Sequence, residues 1–291
     1  MRELDLRYVK AHLPHRPDNA HKGTMGTLCS ITGSYGFSGA AVLSSKAALR
    51  SGVGLLFQII PEAIYPVYAA SVYESVCVPV SGSALGTVSP ADLDAIQNTV
   101  DRASAVLIGC GMGNTPATAA VLRAVISRSR VPVIIDADGI NALSLHKDIL
   151  DAAHPPLILT PHIKEFSRLT GLSVSEILSD QQGAAEQFIK DHPDLVLVLK
   201  SHRTVIATKA ETCLNTAGNS GMAKGGSGDV LAGIIASLTA QGANPTDAAA
   251  MGVHIHALAG DLAAQRLSKT AMLPSDIIAC LPDIYRRIET Q

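Results

Sequence analysis

Short, almost unbroken apolar runs that alternate with longer helical stretches constrain this chain more than any other feature. Runs at 27–32, 54–60, 75–80, 105–109, 131–136, 157–160 and 195–200 are strand-sized, and several lack apolar/polar alternation. Strands without alternation are covered on both faces. Helical spacing runs through 38–51, 91–100, 116–127 and 173–191, the last read as one helix. Residues 1–26 read as a short helix followed by a loop ending in HKGTMG. Buried strands interleaved with helices give an α/β layered fold with a mainly parallel central sheet flanked by helices. The runs 204–208 and 211–214, joined by Lys209-Ala210, read as an antiparallel hairpin. With no linker, repeat or low-complexity stretch, 1–291 reads as one domain.

Composition enters as an exclusion. A formal net charge of -2 with 16% charged residues leaves no basic footprint for nucleic acid and no polybasic surface for anionic lipid. The five cysteines are scattered without a CxxC pair, which disfavours a metal knuckle or a disulfide framework and favours a reducing cytoplasm. The polar start MRELDLRYVKAHLPHRP does not resemble a secretory signal, and the apolar runs are too short to span a bilayer.

In parallel sheets, ligands sit beyond the carboxyl ends of the strands. Those ends fall at 33–39, 109–113, 136–141, 160–165 and 200–204, all rich in glycine or polar groups, and they are expected to converge on one cleft. The richest stretch is NSGMAKGGSGDVLAGIIASLTA at 219–240. Val230, Leu231, Ile234, Ile235 and Leu238 share one helical face, so a buried helix starts at or near Asp229. The glycines before it and the unpaired amides of a helix N-terminus form an anion site, with Gly226, Ser227 and Gly228 as its cradle. A carboxylate there repels phosphate unless it has its own task. Asp229 is therefore either the helix cap or a proton acceptor, and the glycine cluster favours the acceptor.

Other motifs discriminate less. A P-loop needs its Lys after the glycines, but Lys224 precedes Gly225. In Gly109-Cys110-Gly111-Met112-Gly113 the third glycine comes one position early for a dinucleotide fingerprint. His162 and Glu165 share a helix face. They suit substrate contact and water-mediated Mg²⁺ binding, or equally a surface His and a first-turn acid. Asp136, Asp138 and Asn141 read mainly as helix caps. His254 and His256, two apart, cannot face one ligand from a helix and read as packing or interface residues.

HKGTMGTLCSITGSYGFSGAAVLSSKAALRSGVGLL, IIDADGINAL, LTPHIKEFSRL, NTAGNSGMAKGGSGDVLAGIIASL and HIHALAGDLAA follow one another along nearly the whole chain. In that order they resemble the ADP- or ATP-dependent NAD(P)H-hydrate dehydratases of the ribokinase-like superfamily. The resemblance implies a three-layer ribokinase-like fold and, from the length, the stand-alone form without a fused epimerase. It implies a lyase that restores the S-form of hydrated NADH or NADPH by phosphorylating the C6 hydroxyl and expelling phosphate. Asp229 is then the catalytic base, and Ala40, Gly113, His162 and Asp229 contact the hydrated dinucleotide. Lys200, Ser201, His202, Arg203, Thr204 and Gly228 bind ADP or ATP. Mg²⁺ serves as cofactor, with Glu165 holding it through water, and the assembly is a homo-oligomer, a tetramer by resemblance.

The chain makes three departures from the family pattern: Cys110 stands where relatives usually have Pro, Ile163-Lys164 replaces the usual Pro-Gly, and Ser201 stands where a Gly commonly follows the Lys. The competing readings are a ribokinase-like small-molecule kinase, such as one acting on a thiamin-precursor alcohol, and a non-catalytic dinucleotide-binding module centred on 109–113. The choice of ADP or ATP, and of NADH or NADPH hydrate, is not written in the sequence.

Overall fold

The computed structural model describes residues 2–151 and 153–290; Met1, Ala152 and Gln291, within the expected 1–291 domain, lie outside the described residues. In chain order the strands are β1 (Arg2–Glu3), β2 (Thr27–Ile31), β3 (Leu55–Pro61), β4 (Val76–Val80), β5 (Ala105–Ile108), β6 (Val133–Ile135), β7 (Leu157–Leu159), β8 (Leu195–Leu199), β9 (Thr204–Ala207) and β10 (Thr212–Asn215). The helices are α1 (Leu6–His12), α2 (Ser38–Arg50), α3 (Tyr65–Ala69), α4 (Leu93–Val100), α5 (Pro116–Arg128), α6 (Asp138–Leu145), α7 (Asp148–Asp151), α8 (Ile163–Thr170), α9 (Val174–Ser179), α10 (Gln181–Asp191), α11 (Ser227–Ala240), α12 (Pro245–Leu267) and α13 (Pro274–Thr290).

The strands form one sheet in the order β1-β10-β9-β8-β7-β6-β5-β2-β3-β4. From β8 to β4 every neighbouring pair is parallel, whereas β9 runs antiparallel to both β8 and β10 as the expected hairpin. Strand order reverses at β2, which has β3 on one side and β5 on the other. Such a reversal opens a crevice above the strand ends.

Alternation sorts the strand residues onto two cores. Ala105, Leu107, Ile134, Ile158, Val196 and Val198 join residues of α1, α2, α11, α12 and α13. Val106, Ile108, Val133, Ile135, Leu157, Leu159, Leu195 and Leu197 join residues of α4 to α10 on the other face. Three layers result, and the central strands β5 to β8 are buried along their whole lengths. This explains why their sequences are unbroken apolar runs.

The structure corrects one helix. The stretch 173–191 is two helices, because Asp180 at φ -148 leaves the helical region and its side chain accepts the amide of Gly183 as the cap of α10. Among the described residues, no helix is long and apolar enough to cross a membrane.

Candidate active site

The glycine-rich stretch becomes a platform through Gly226. Its φ of 100 is open to glycine alone at low strain, and a Cβ there would lie 2.6 Å from Leu43 Cδ1. Gly226 is the N-cap of α11, so Asp229 is the third residue of the helix. The capping role weighed for Asp229 is therefore taken by another residue, with no side-chain cap bond. The amide of Ser227 donates to the carbonyl of Lys224. Among the described residues, the amides of Gly226, Gly228 and Asp229 have no protein acceptor.

Asp229 faces groups brought by other strand ends. One ligand atom each of Cys110, Asp136 and Asp229 lies within 4.8 Å of the others. Asp136 follows β6 and is 1% exposed. Its Oδ1 accepts from Lys200 Nζ and from Thr160 Oγ1, both at 2.7 Å, and Cys110 Sγ reaches Oδ2 at 3.7 Å. The expectation that Asp136 caps a helix fails: the N-cap of α6 is Ala137, which makes no side-chain cap bond. Asp138 instead accepts the amide of Gly113 at 2.8 Å, and Asn141 accepts from Arg168 at 3.0 Å. The missed signal was an acid placed directly after the apolar run VPVII.

These neighbours set the proton affinities. Burial first, and then the charge of Asp136, push Asp229 up from 3.8 to about 7, while Cys110 and Lys200 act the other way. Burial works against the Lys200 ammonium, but Asp136 and Glu165 outweigh it and hold the group above its ordinary value. Burial also raises Glu165 to about 7, opposed by Lys200.

A cleft of about 1000 Å³ opens over this floor. Its walls include His162, Glu165, Lys200, Ser201, His202, Thr204, Gly226, Ser227, Gly228 and Asp229. Ala40, Gly113 and Arg203 do not line it. Ala40 packs against Gly111, where an added Cβ would come within 2.7 Å of the Ala40 Cβ, and Gly113 is tied to Asp138. His162 is the N-cap of α8: its Nδ1 accepts the amides of Lys164 and Glu165 at 3.1 Å, and Glu165 Oε2 accepts the His162 amide at 2.8 Å. Glu165 lies in the first turn of α8 and is 5% exposed. Ser201 knits its own turn, with its hydroxyl donating to Gln181 and its oxygen accepting the Arg203 amide. His254 is a packing residue bonded to Asn215 at 2.9 Å, but His256 lines the cleft, which its helical spacing did not reveal.

Residues 28–283 match the family model described as NAD(P)H-hydrate dehydratase. The chain belongs to that family. It is 33% identical over 289 residues to the ADP-dependent (S)-NAD(P)H-hydrate dehydratase of Bacillus subtilis, covering 97% of each chain. It is also 36% identical over 291 residues to the bifunctional NAD(P)H-hydrate repair enzyme of Moorella thermoacetica, covering all of this chain and 55% of that protein. The chain thus spans about half the length of the bifunctional members.

Solved structures give the same family. The Bacillus subtilis ADP/ATP-dependent dehydratase, co-crystallized with ATP/Mg²⁺, superposes with a TM-score of 0.83 at 28% identity, covering 99% of this chain and 98% of that one. A ribokinase-like superfamily protein from Enterococcus faecalis superposes with a TM-score of 0.86 at 28% identity, covering 99% and 96%. The expected ribokinase-like fold is therefore the fold observed.

Proposed function

We propose that this chain dehydrates the S-form of hydrated NADH or NADPH at the expense of ADP or ATP, releasing AMP or ADP and phosphate. The observation that carries the reading is the position of Asp229, a base held near neutral pKa beside unpaired amides and the Lys200 ammonium. Relatives that bear the dehydratase name along their full length support it.

In this reading the C6 hydroxyl attacks the terminal phosphorus of the nucleotide, and Asp229 accepts the hydroxyl proton. The shortened nucleotide leaves with the electrons of the broken P–O bond. The amides of Gly228 and Asp229, the helix dipole and Lys200 offset the charge on the transferring group. Phosphate, a far better leaving group than hydroxide, then departs from C6, a proton is lost from the adjacent carbon, and the ring double bond returns. His162, Ala40 and Gly113 bind the dinucleotide in this assignment, and Lys200, Ser201, His202, Arg203, Thr204 and Gly228 bind the donor nucleotide.

Glu165 fits a water-mediated hold on Mg²⁺, as a buried-edge carboxylate on the cleft wall. The Cys110, Asp136 and Asp229 group does not fit, since sulfur is a poor Mg²⁺ ligand and Asp136 Oδ1 is already engaged. Bound to nucleotide phosphates, Mg²⁺ supplies further charge neutralisation. We also assign the enzyme to the cytoplasm, consistent with its five free cysteines, and to a homo-oligomer, a tetramer by resemblance.

The test incubates the protein with hydrated NADH, Mg²⁺ and either ADP or ATP. Recovery of reduced-nicotinamide absorbance with stoichiometric phosphate release supports the reading. A stable phosphorylated product without that recovery indicates a kinase. Dinucleotide binding without nucleotide consumption indicates an inert module.

A further inference from the structure

Asp136 does more at this site than its expected place at a helix cap. Donors from the ends of three other strands converge on its carboxylate: Cys110 after β5, Thr160 after β7 and Lys200 after β8. The pair it makes with Lys200 sits directly under the glycine platform. A Cβ on Gly228 would lie 3.3 Å from Lys200 Nζ and 3.6 Å from Asp136 Oδ2. Next door, Ala137 is one of two non-glycine residues with positive φ among the described residues, at φ 48 and ψ -114. A non-glycine residue in that region is strained and persists only where the surroundings impose it.

We infer that Asp136 is a positioning residue for phosphoryl transfer: it anchors the Lys200 ammonium under Gly228 and holds a second carboxylate against Asp229. This rests on the reading of Asp229 as the base. The charged and titratable groups facing Asp229 are Cys110, Asp136, Lys200 and Asp138. Of these, Asp136 and Lys200 oppose each other. Asp136 strengthens the base, and Lys200 keeps it ionised near neutrality. Asp136 itself makes no bond to the reacting atoms in this assignment, so it acts through Asp229 and through the placement of the ammonium.

Two substitutions of opposite sign test it. Asp136→Asn removes the like charge and leaves Lys200 unopposed, so the acid limb of the kcat/KM profile moves down by about one pH unit or more, with a plateau at least about tenfold lower. Lys200→Gln leaves Asp136 uncompensated and moves the same limb up. Thr160→Val deletes one hydrogen bond but no charge, and leaves the limb in place. A parallel ¹³C NMR titration of aspartate-labelled protein follows the Asp229 carboxyl without turnover. If wild type shows no dehydration, the functional reading fails, while the NMR arm still decides this proposal. An Asp229 titration unchanged in folded Asp136→Asn protein overturns it, as does a limb that stays put while activity falls. Should Asp136→Asn not fold, Lys200→Gln and Thr160→Val carry the same decision.

Discussion

A Cβ on Gly233 would stand 2.2 Å from the carbonyl oxygen of Ser44 and 3.0 Å from the Cβ of Ala47, so α11 and α2 touch backbone to backbone. That contact fixes how deeply α11 sits against the sheet, and hence where its first turn presents Asp229. Gly233→Ala forces two packed helices apart. It is expected to destabilise the fold by about 1–3 kcal/mol, the range for an overpacked core. Urea unfolding of the two proteins measures it; equal midpoints would show that the helices separate at no cost.

Asp229→Asn is expected to lower kcat by at least about 10³-fold while changing ADP affinity less than about threefold, because the base acts on the proton rather than on the donor. Steady-state kinetics and calorimetric titration with ADP separate the two effects. Near-normal turnover would return Asp229 to a structural role.

The same substitution carries a stability prediction of the opposite kind. Burial raises Asp229 from 3.8 to about 7, so the folded protein prefers the protonated acid. Stability from this group is full at low pH and is lost as pH rises from about 4 through about 7. Asn removes that loss. At about pH 8 the variant should be more stable by roughly 1–2 kcal/mol, reduced from the full shift because the carboxylate opens onto the cleft. At about pH 4 the two proteins should melt together. Thermal melts at both pH values check the crossover.

Lys200 and Asp136 form an ion pair whose side chains are 18% and 2% exposed. Replacing Lys200 by Met leaves a carboxylate in the interior without its cation and should cost roughly 3–5 kcal/mol. Adding Asp136→Asn should recover part of that loss, and a double-mutant cycle reads the coupling. Strictly additive losses would mean the two groups do not interact.

Cys29, Cys110, Cys213 and Cys280 are buried, while Cys77 on β4 is partly open. A thiol reagent applied to native protein should modify Cys77 alone, and the remaining four should follow only after denaturant is added. Labelling of Cys110 in the folded state would show that the floor of the cleft opens to solvent.

The layered architecture was legible because strands buried on both faces leave an unmistakable sequence: VPVII and LVLVL admit little else. The break at Asp180 was not legible, since its flanking residues keep helical spacing on both sides and only a capping bond to Gly183 decides it. Asp229 was singled out through the glycines that precede it. Asp136 was misread because an acid before a helix usually caps it, whereas here the partner is 64 residues away on another strand. Long-range charge pairing leaves no periodic trace. For the same reason His256 escaped notice: two positions from His254 in sequence, it turns toward the cleft while its neighbour packs inward.

Of the 14 residues of α11, 12 are buried. A helix wedged so completely between sheet and neighbours cannot travel during a catalytic cycle without dismantling the core around it. The acid near its tip is accordingly a stationary anvil. Any motion a catalytic cycle requires would then fall to the more exposed cleft residues His162, Ser201 and His202. A transition-state mimic anchored on the α11 side would therefore meet the same surface in every conformation the enzyme visits.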